Sequence, residues 1–72
     1  MSPCDLVVAI CEFMYLWAEA RPGKHVCHPV SRGTHALVLA TANDGRNTWL
    51  LVLVEGACGW KNGSWFEQVR PR

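Results

Sequence analysis

The spacing of hydrophobic residues changes along the chain and divides it into two parts. In the first part Leu6, Ile10, Phe13 and Trp17 follow one another at steps of three or four residues. This spacing is typical of one face of an α-helix. Residues 2–20 are therefore predicted to form an N-terminal amphipathic helix, which the following Arg-Pro-Gly sequence would end.

The second part alternates with a period of two, which indicates β-strands. The predicted strands are the segments 24–30, 35–42, 48–55 and 65–70, the last of which is either a short strand or a turn of 3₁₀ helix. The segment 48–55 has apolar residues on both sides of the alternation, as a central strand does. A turn is predicted at residues 43–47, and Asn62-Gly63 predicts a two-residue hairpin turn that would pair Trp60 with Trp65.

Together these elements predict an α+β fold, in which the helix packs on a small, strongly bent antiparallel sheet of four to five strands. The whole chain, residues 1–72, is one domain, with the helix at 2–20 and the sheet or barrel at 24–70. Short strands, the Asn-Asp-Gly turn and the terminal Trp-Phe-Glu-Gln-Val-Arg-Pro segment resemble an SH3-like barrel. The resemblance covers about two thirds of the chain and implies a barrel closure, with no functional residues attached to it.

Composition then adds a prediction about assembly. Half of the residues are hydrophobic and four are tryptophan. A chain of 72 residues buries only about 60–65% of the surface that its unfolded form exposes, so some apolar surface is left for a partner. We expect a homodimer, with Phe13, Met14 and Trp17 of the helix at the interface.

Charge is distributed unevenly, because residues 22–72 carry six cations against three acids, a balance of +3. Aromatic and basic residues are interleaved in that part, and they form the predicted ligand-binding surface: Arg46, Trp60, Lys61, Trp65 and Arg70. Aromatic side chains stack on bases while cations follow the phosphate backbone. The sequence therefore predicts a non-enzymatic binding module for nucleic acid, or for a peptide. The alternatives are a homo-oligomeric assembly protein, such as a phage or mobile-element accessory protein, and a small enzyme with a site between subunits.

Potential metal ligands occur at His25, Cys27 and His28, with His35 and Cys58 further along the chain. Structural zinc sites usually combine two closely spaced ligand pairs, and the second pair is missing here. We therefore predict no metal, no other cofactor and no catalytic residue, while metal binding by these five residues stays an open alternative.

The N-terminal apolar run is interrupted by Asp5 and Glu12. Neither a secretory signal nor a membrane-spanning helix tolerates such charges readily. The sequence predicts a cytoplasmic protein that does not enter a membrane and whose thiols are reduced.

Overall fold

The computed structural model describes residues 1–69 and, within that range, every side chain except those of residues 21, 22 and 24–28. Seven antiparallel strands form one curled sheet. The strands are β1 (Leu6–Ala9), β2 (Phe13–Glu19), β3 (Arg21–Ser31), β4 (His35–Asn43), β5 (Thr48–Val54), β6 (Ala57–Asn62) and β7 (Phe66–Gln68). A 3₁₀ turn, Gly63–Trp65, joins β6 to β7.

The predicted α+β class and the helix at residues 2–20 are wrong, because no α-helix occurs between residues 1 and 69 and this segment forms β1 and β2. Val7 and Ala9 on β1, and Met14 and Leu16 on β2, are buried at alternate positions. The three-residue bend between the strands shifts the phase of the alternation. The apolar residues Leu6, Ile10, Phe13 and Trp17 therefore fall at steps of three or four residues, as on one face of a helix, although they lie on two strands and the bend between them.

The curl of the sheet follows from its connections. The strand order is β3-β2-β6-β5-β4-β1-β7, so β1 and β2 lie four positions apart although only three residues join them. In a flat sheet, four positions correspond to about 19 Å. The four peptide steps from Ala9 to Phe13 span at most about 14 Å. The link from β3 to β4 and the link from β6 to β7 also join strands four positions apart with only three residues. These three short links together force the sheet to bend into a half-barrel.

The core lies inside this curl. Its buried side chains form one cluster: Val7, Ala9, Met14, Leu16, Val30, Ala36, Val38, Leu50, Val52, Val54 and Phe66. Six of the seven strands, all except β6, contribute to this cluster, and β5 provides its centre. A barrel-like fold is compatible with this arrangement, although the sheet has more strands than the four to five predicted.

The strand predictions for 35–42 and 48–55 agree with β4 and β5, and the turn between them is present. The hairpin predicted at Asn62-Gly63 is wrong. The Asn62 side-chain oxygen accepts a hydrogen bond of 3.0 Å from the Ser64 backbone N–H and caps the 3₁₀ turn instead. The chain therefore crosses from β6 to β7 rather than folding back on β6.

Candidate interaction surface

Three leucines line up on the outside of the sheet. Leu37 on β4 is directly opposite Leu6 on β1 and directly opposite Leu53 on β5. We call these three residues the leucine row. Leu37 lies between buried Ala36 and buried Val38 in the sequence, so its side chain points away from the core. The exposed fractions are 44% for Leu6, 36% for Leu37 and 39% for Leu53.

Two further exposed apolar residues lie next to the leucine row. Cys58 on β6 is opposite Leu53 and is exposed, and Leu39, two residues after Leu37, is 41% exposed. We call the leucine row together with Leu39 and Cys58 the outer face. It spans four neighbouring strands, β1, β4, β5 and β6. On the same side of the sheet, Val8 on β1 is opposite the exposed residues His35 on β4 and Glu67 on β7. Isolated exposed leucines are ordinary, whereas four apolar residues in register, with Leu39 beside them, make a continuous surface that suits another apolar surface.

Next to the outer face, Leu51 on β5 is opposite Trp60 on β6, and Trp60 is opposite Trp17 on β2. All three are half-buried. Trp60 belongs to the predicted ligand-binding residues and Trp17 to the predicted interface. The structure therefore brings these two predicted sites together, through a pairing of β2 with β6 that the sequence did not indicate.

Lys61, another predicted ligand-binding residue, is buried, with 7% of its surface exposed. Its Nζ donates a hydrogen bond of 3.1 Å to the Tyr15 carbonyl oxygen. The same atom lies 4.2 Å from the Trp65 ring centroid and 5.5 Å from the Trp17 ring centroid. Burial lowers the pKa of Lys61, and the negative charge of a Cys11 thiolate opposes that shift. The ammonium therefore holds two indoles in place instead of presenting a free cation at the surface.

Arg46 is exposed in the turn between β4 and β5. The Asp44 carboxylate organises this turn by accepting hydrogen bonds from the backbone N–H groups of Arg46 and Asn47, at 2.8 and 2.7 Å. The indole N–H of Trp49 also donates to it, at 3.0 Å. These three bonds lower the pKa of Asp44, the bond from Asn47 having the largest effect. An acid thus lies two residues from Arg46. Arg70, the last predicted ligand-binding residue, lies outside the described residues.

The predicted interface residues on β2 have three different environments. Phe13 is the most exposed large apolar residue described, at 56%, and packs edge-to-face on Tyr15 with 5.6 Å between the ring centroids. Met14 is buried in the core at 2% exposure, and Trp17 is half-buried. Only Phe13 of the three is well placed to meet a partner.

Among the residues whose side chains are described, no group of three or more His, Cys, Asp or Glu residues is placed to hold a metal ion. His35 lies on β4 and Cys58 on β6, both exposed. The side chains of His25, Cys27 and His28 lie outside those described. Cys4, Cys11 and Cys58 are free thiols.

The sequence did not reveal the outer face. The sequence places Leu37, Leu39 and Leu53 on strands, but its helical spacing places Leu6 on the predicted helix. Leu6–Ala9 has no polar residue that would show an alternation, and the two β-branched residues Val7 and Val8 are the local signal for a strand there.

No protein-family model matches the chain, and neither the curated proteins nor the solved structures contain a match. Within residues 1–69, no helix is both long and apolar enough to span a membrane.

Proposed function

We propose that this protein is a small, non-enzymatic interaction module that binds a protein partner through its outer face. The observation that supports this is the leucine row, because three leucines in direct register leave a continuous apolar strip in water. Burying such a strip releases about 25 cal/mol for each Å² of apolar surface removed from water. A fold of this size has no internal use for the strip, since the opposite sides of β4 and β5 already supply the core.

The experiment compares two exposed apolar positions. Leu37→Thr removes the centre of the leucine row and introduces a β-branched residue suited to a strand. Ile10→Thr, the control, changes a residue that is 40% exposed but lies outside the outer face. We expect Leu37→Thr to lower the binding of an environment-sensitive apolar dye at micromolar protein, while the control binds the dye like the wild type.

Equal dye binding by both variants would refute the proposal. A loss of stability in Leu37→Thr as large as that of a core truncation, about 2–5 kcal/mol, would refute it as well, since the side chain would then be part of the core.

We also propose a cytoplasmic location, which the three free thiols support.

Nucleic-acid binding is the second candidate. It is favoured by the position of Arg46 and Trp65 at one end of β5 and β6, where Gly63 lies close to Thr48 and Asn62 is opposite Trp49. Titration with a single-stranded oligonucleotide would then quench tryptophan fluorescence in a salt-dependent way, and Arg46→Gln would weaken the binding. Two features weigh against this candidate: Lys61 is buried, and Asp44 is adjacent to the Arg46 turn.

A further inference from the structure

We infer that the hairpin formed by β2 and β3 is a flap, which opens at its boundary with β6 while the other five strands stay folded. We call this boundary the seam. The inference does not use the outer face, whose strands β1, β4, β5 and β6 all belong to the part that stays folded. It adds a conformational change to the molecule, and the proposed function requires none.

The first argument is the backbone pairing at the seam. Within residues 1–69, β2 and β6 share one paired position, Trp17 with Trp60. Every other pair of neighbouring strands shares at least three. The pairing of β2 with β3 is also irregular at this point, because its register shifts on both sides of Trp17. Since cross-strand pairs stabilise a sheet, the seam is the boundary at which this sheet separates most easily.

The second argument is the chemistry of the side-chain contacts across the seam. The Lys61 Nζ reaches from β6 to the Tyr15 carbonyl oxygen, at 3.1 Å, and lies 5.5 Å from the centroid of the Trp17 ring. Opening the flap breaks both contacts, but it also returns a buried ammonium group to water. Because taking a charge out of water is costly, its rehydration offsets part of what the broken contacts lose. The contacts of Lys61 therefore hold the flap only weakly.

The third argument is the position of the links that join the hairpin to the rest of the chain. Phe13, the first residue of β2, is opposite Ser31, the last residue of β3, so both links leave the hairpin at the same end. The Gly33 N–H donates a hydrogen bond of 2.8 Å to the Ala9 carbonyl oxygen and attaches this end to β1. The single pair with β6 involves Trp17, near the other end of β2. The hairpin is thus anchored at its base and lightly held near its tip, as a hinged flap requires.

Core packing makes the closed form the major one and allows the rest of the fold to survive without the flap. The flap supplies three core residues, Met14, Leu16 and Val30, whose exposure to water is unfavourable. The other eight core residues come from β1, β4, β5 and β7. A sheet of five strands with an apolar face can stay folded, whereas an isolated two-stranded hairpin is marginal in water. The open form is therefore a minor state in which the amides of the hairpin exchange with solvent.

Opening changes the surface that the protein presents. Met14, Leu16 and Val30 are buried in the closed form, and in the open form they face water together with the core residues that they cover. The outer face is the same in both forms. The flap thus gives the protein a second apolar surface that exists only in the open form, and a partner that binds this surface shifts the equilibrium toward that form.

Hydrogen exchange of individual backbone amides, measured by NMR on the reduced protein at neutral pH, tests the flap. In the wild type we expect the amides of β2 to exchange at least ~30-fold faster than the most protected amides of β4 and β5, each relative to an unstructured chain. Trp17→Val weakens the seam and is expected to speed exchange in β2 further. Trp17→Phe takes its place if Trp17→Val does not fold.

Gly56→Ala is the control, because it strains the turn between β5 and β6 and its added methyl group meets no atom within 4 Å. This strain is present in both the closed and the open form, and only global unfolding relieves it. We therefore expect Gly56→Ala to speed exchange in β4 and β5 by roughly 5- to 30-fold. Exchange in β2, which proceeds through the flap, should stay unchanged.

Three results would overturn the inference: protection in β2 equal to that in β4 and β5, a Gly56→Ala variant in which all three strands speed up by one factor, or exchange in β2 that is the same in Trp17→Val and the wild type. The first two would show that the sheet opens as one unit. The third would show that the seam is not where it opens.

Discussion

Lys61 and Trp65 are in direct contact: the Lys61 Nζ lies 4.2 Å from the centroid of the Trp65 ring. Lys61 belongs to β6, and Trp65 ends the 3₁₀ turn that carries the chain from β6 to β7. The contact therefore fixes this turn against the strand that precedes it. A cation held over an indole gains about 0.5–2 kcal/mol, depending on how far it is removed from water.

This environment makes the contribution of Lys61 to stability dependent on pH. Its pKa in the folded protein is below the ordinary value of 10.5. Between the lowered pKa and 10.5 the unfolded chain binds more protons than the folded one, so the free energy of unfolding rises with pH. Lys61→Met keeps the alkyl stem and removes the charge. We expect the wild type to gain stability relative to Lys61→Met as the pH rises toward and through 10.5.

Urea denaturation followed by tryptophan fluorescence, repeated at several alkaline pH values, measures this difference. Lys24→Met, which removes the other lysine of the chain, controls for the loss of one amine. A difference that is constant with pH would contradict the prediction. So would one of opposite sign, since the contacts with the two indoles and the Tyr15 carbonyl would then outweigh the effect of burial.

Asp44 makes the stability of the folded protein depend on pH in the acid range. Its folded pKa is lowered from 3.8, because the carboxylate accepts three hydrogen bonds within its turn. The stability that it supplies is complete above 3.8 and is lost as the pH falls through the lowered pKa. We therefore expect the melting temperature of the wild type to exceed that of Asp44→Asn at neutral pH, and the gap to narrow in acid.

The control for this comparison is Glu67→Gln, which removes one exposed carboxylate from β7. Its melting temperature should stay close to that of the wild type at neutral pH. If the gap between the wild type and Asp44→Asn is the same at neutral and acid pH, the carboxylate does not organise the turn.

The turn between β5 and β6 tests backbone strain separately from packing. Glu55 and Gly56 both have positive φ, at 50° and 82°, as a type I′ hairpin turn requires. An added Cβ at Gly56 would meet no atom within 4 Å, and the same is true at Gly23, whose φ is not in the left-handed region. We expect Gly56→Ala to lower the free energy of unfolding by about 1–2 kcal/mol through strain alone.

Gly23→Ala adds the same methyl group without that strain, so its stability should equal or slightly exceed that of the wild type. Equilibrium urea unfolding of the two variants separates the outcomes. Equal stabilities would show that the turn relaxes to another type without cost.

The parts of the fold that sequence predicts correctly are local. The hairpin of β4 and β5 follows from alternating apolar residues on both sides of a turn that Asp44 and Gly45 specify. The position of β1 beside β4 depends instead on links that join strands four places apart in the sheet, and no short sequence window contains that information. The leucine row was missed for the same reason, since Leu6, Leu37 and Leu53 become neighbours only through strand order.

The contact between Lys61 and Trp65 was only partly predictable. The sequence predicts both residues in one site because they are close along the chain. The contact of Lys61 with the Tyr15 carbonyl oxygen depends on β2 lying beside β6. Lys61 is therefore predicted as an exposed cation until β2, which is distant in sequence, is placed beside β6.

The bent N-terminal strands give the sharpest test of the fold. In a helix with the predicted apolar face, Phe13 would be buried. In the sheet Phe13 is 56% exposed, and Leu16 is fully buried in the core inside the curl. We expect Leu16→Ala to lower the free energy of unfolding by about 2–5 kcal/mol, and Phe13→Ala to lower it by less than about 1 kcal/mol, as surface substitutions do.

Leu50→Ala is the matched reference, since Leu50 is equally buried on β5, a strand that sequence and structure assign alike. Urea unfolding should group Leu16→Ala with Leu50→Ala and leave Phe13→Ala near the wild type. The reverse order, with Phe13→Ala the more damaging of the two N-terminal variants, would favour a helix at residues 2–20. It would also remove Leu6 from β1, and with it one end of the leucine row on which the proposed function depends.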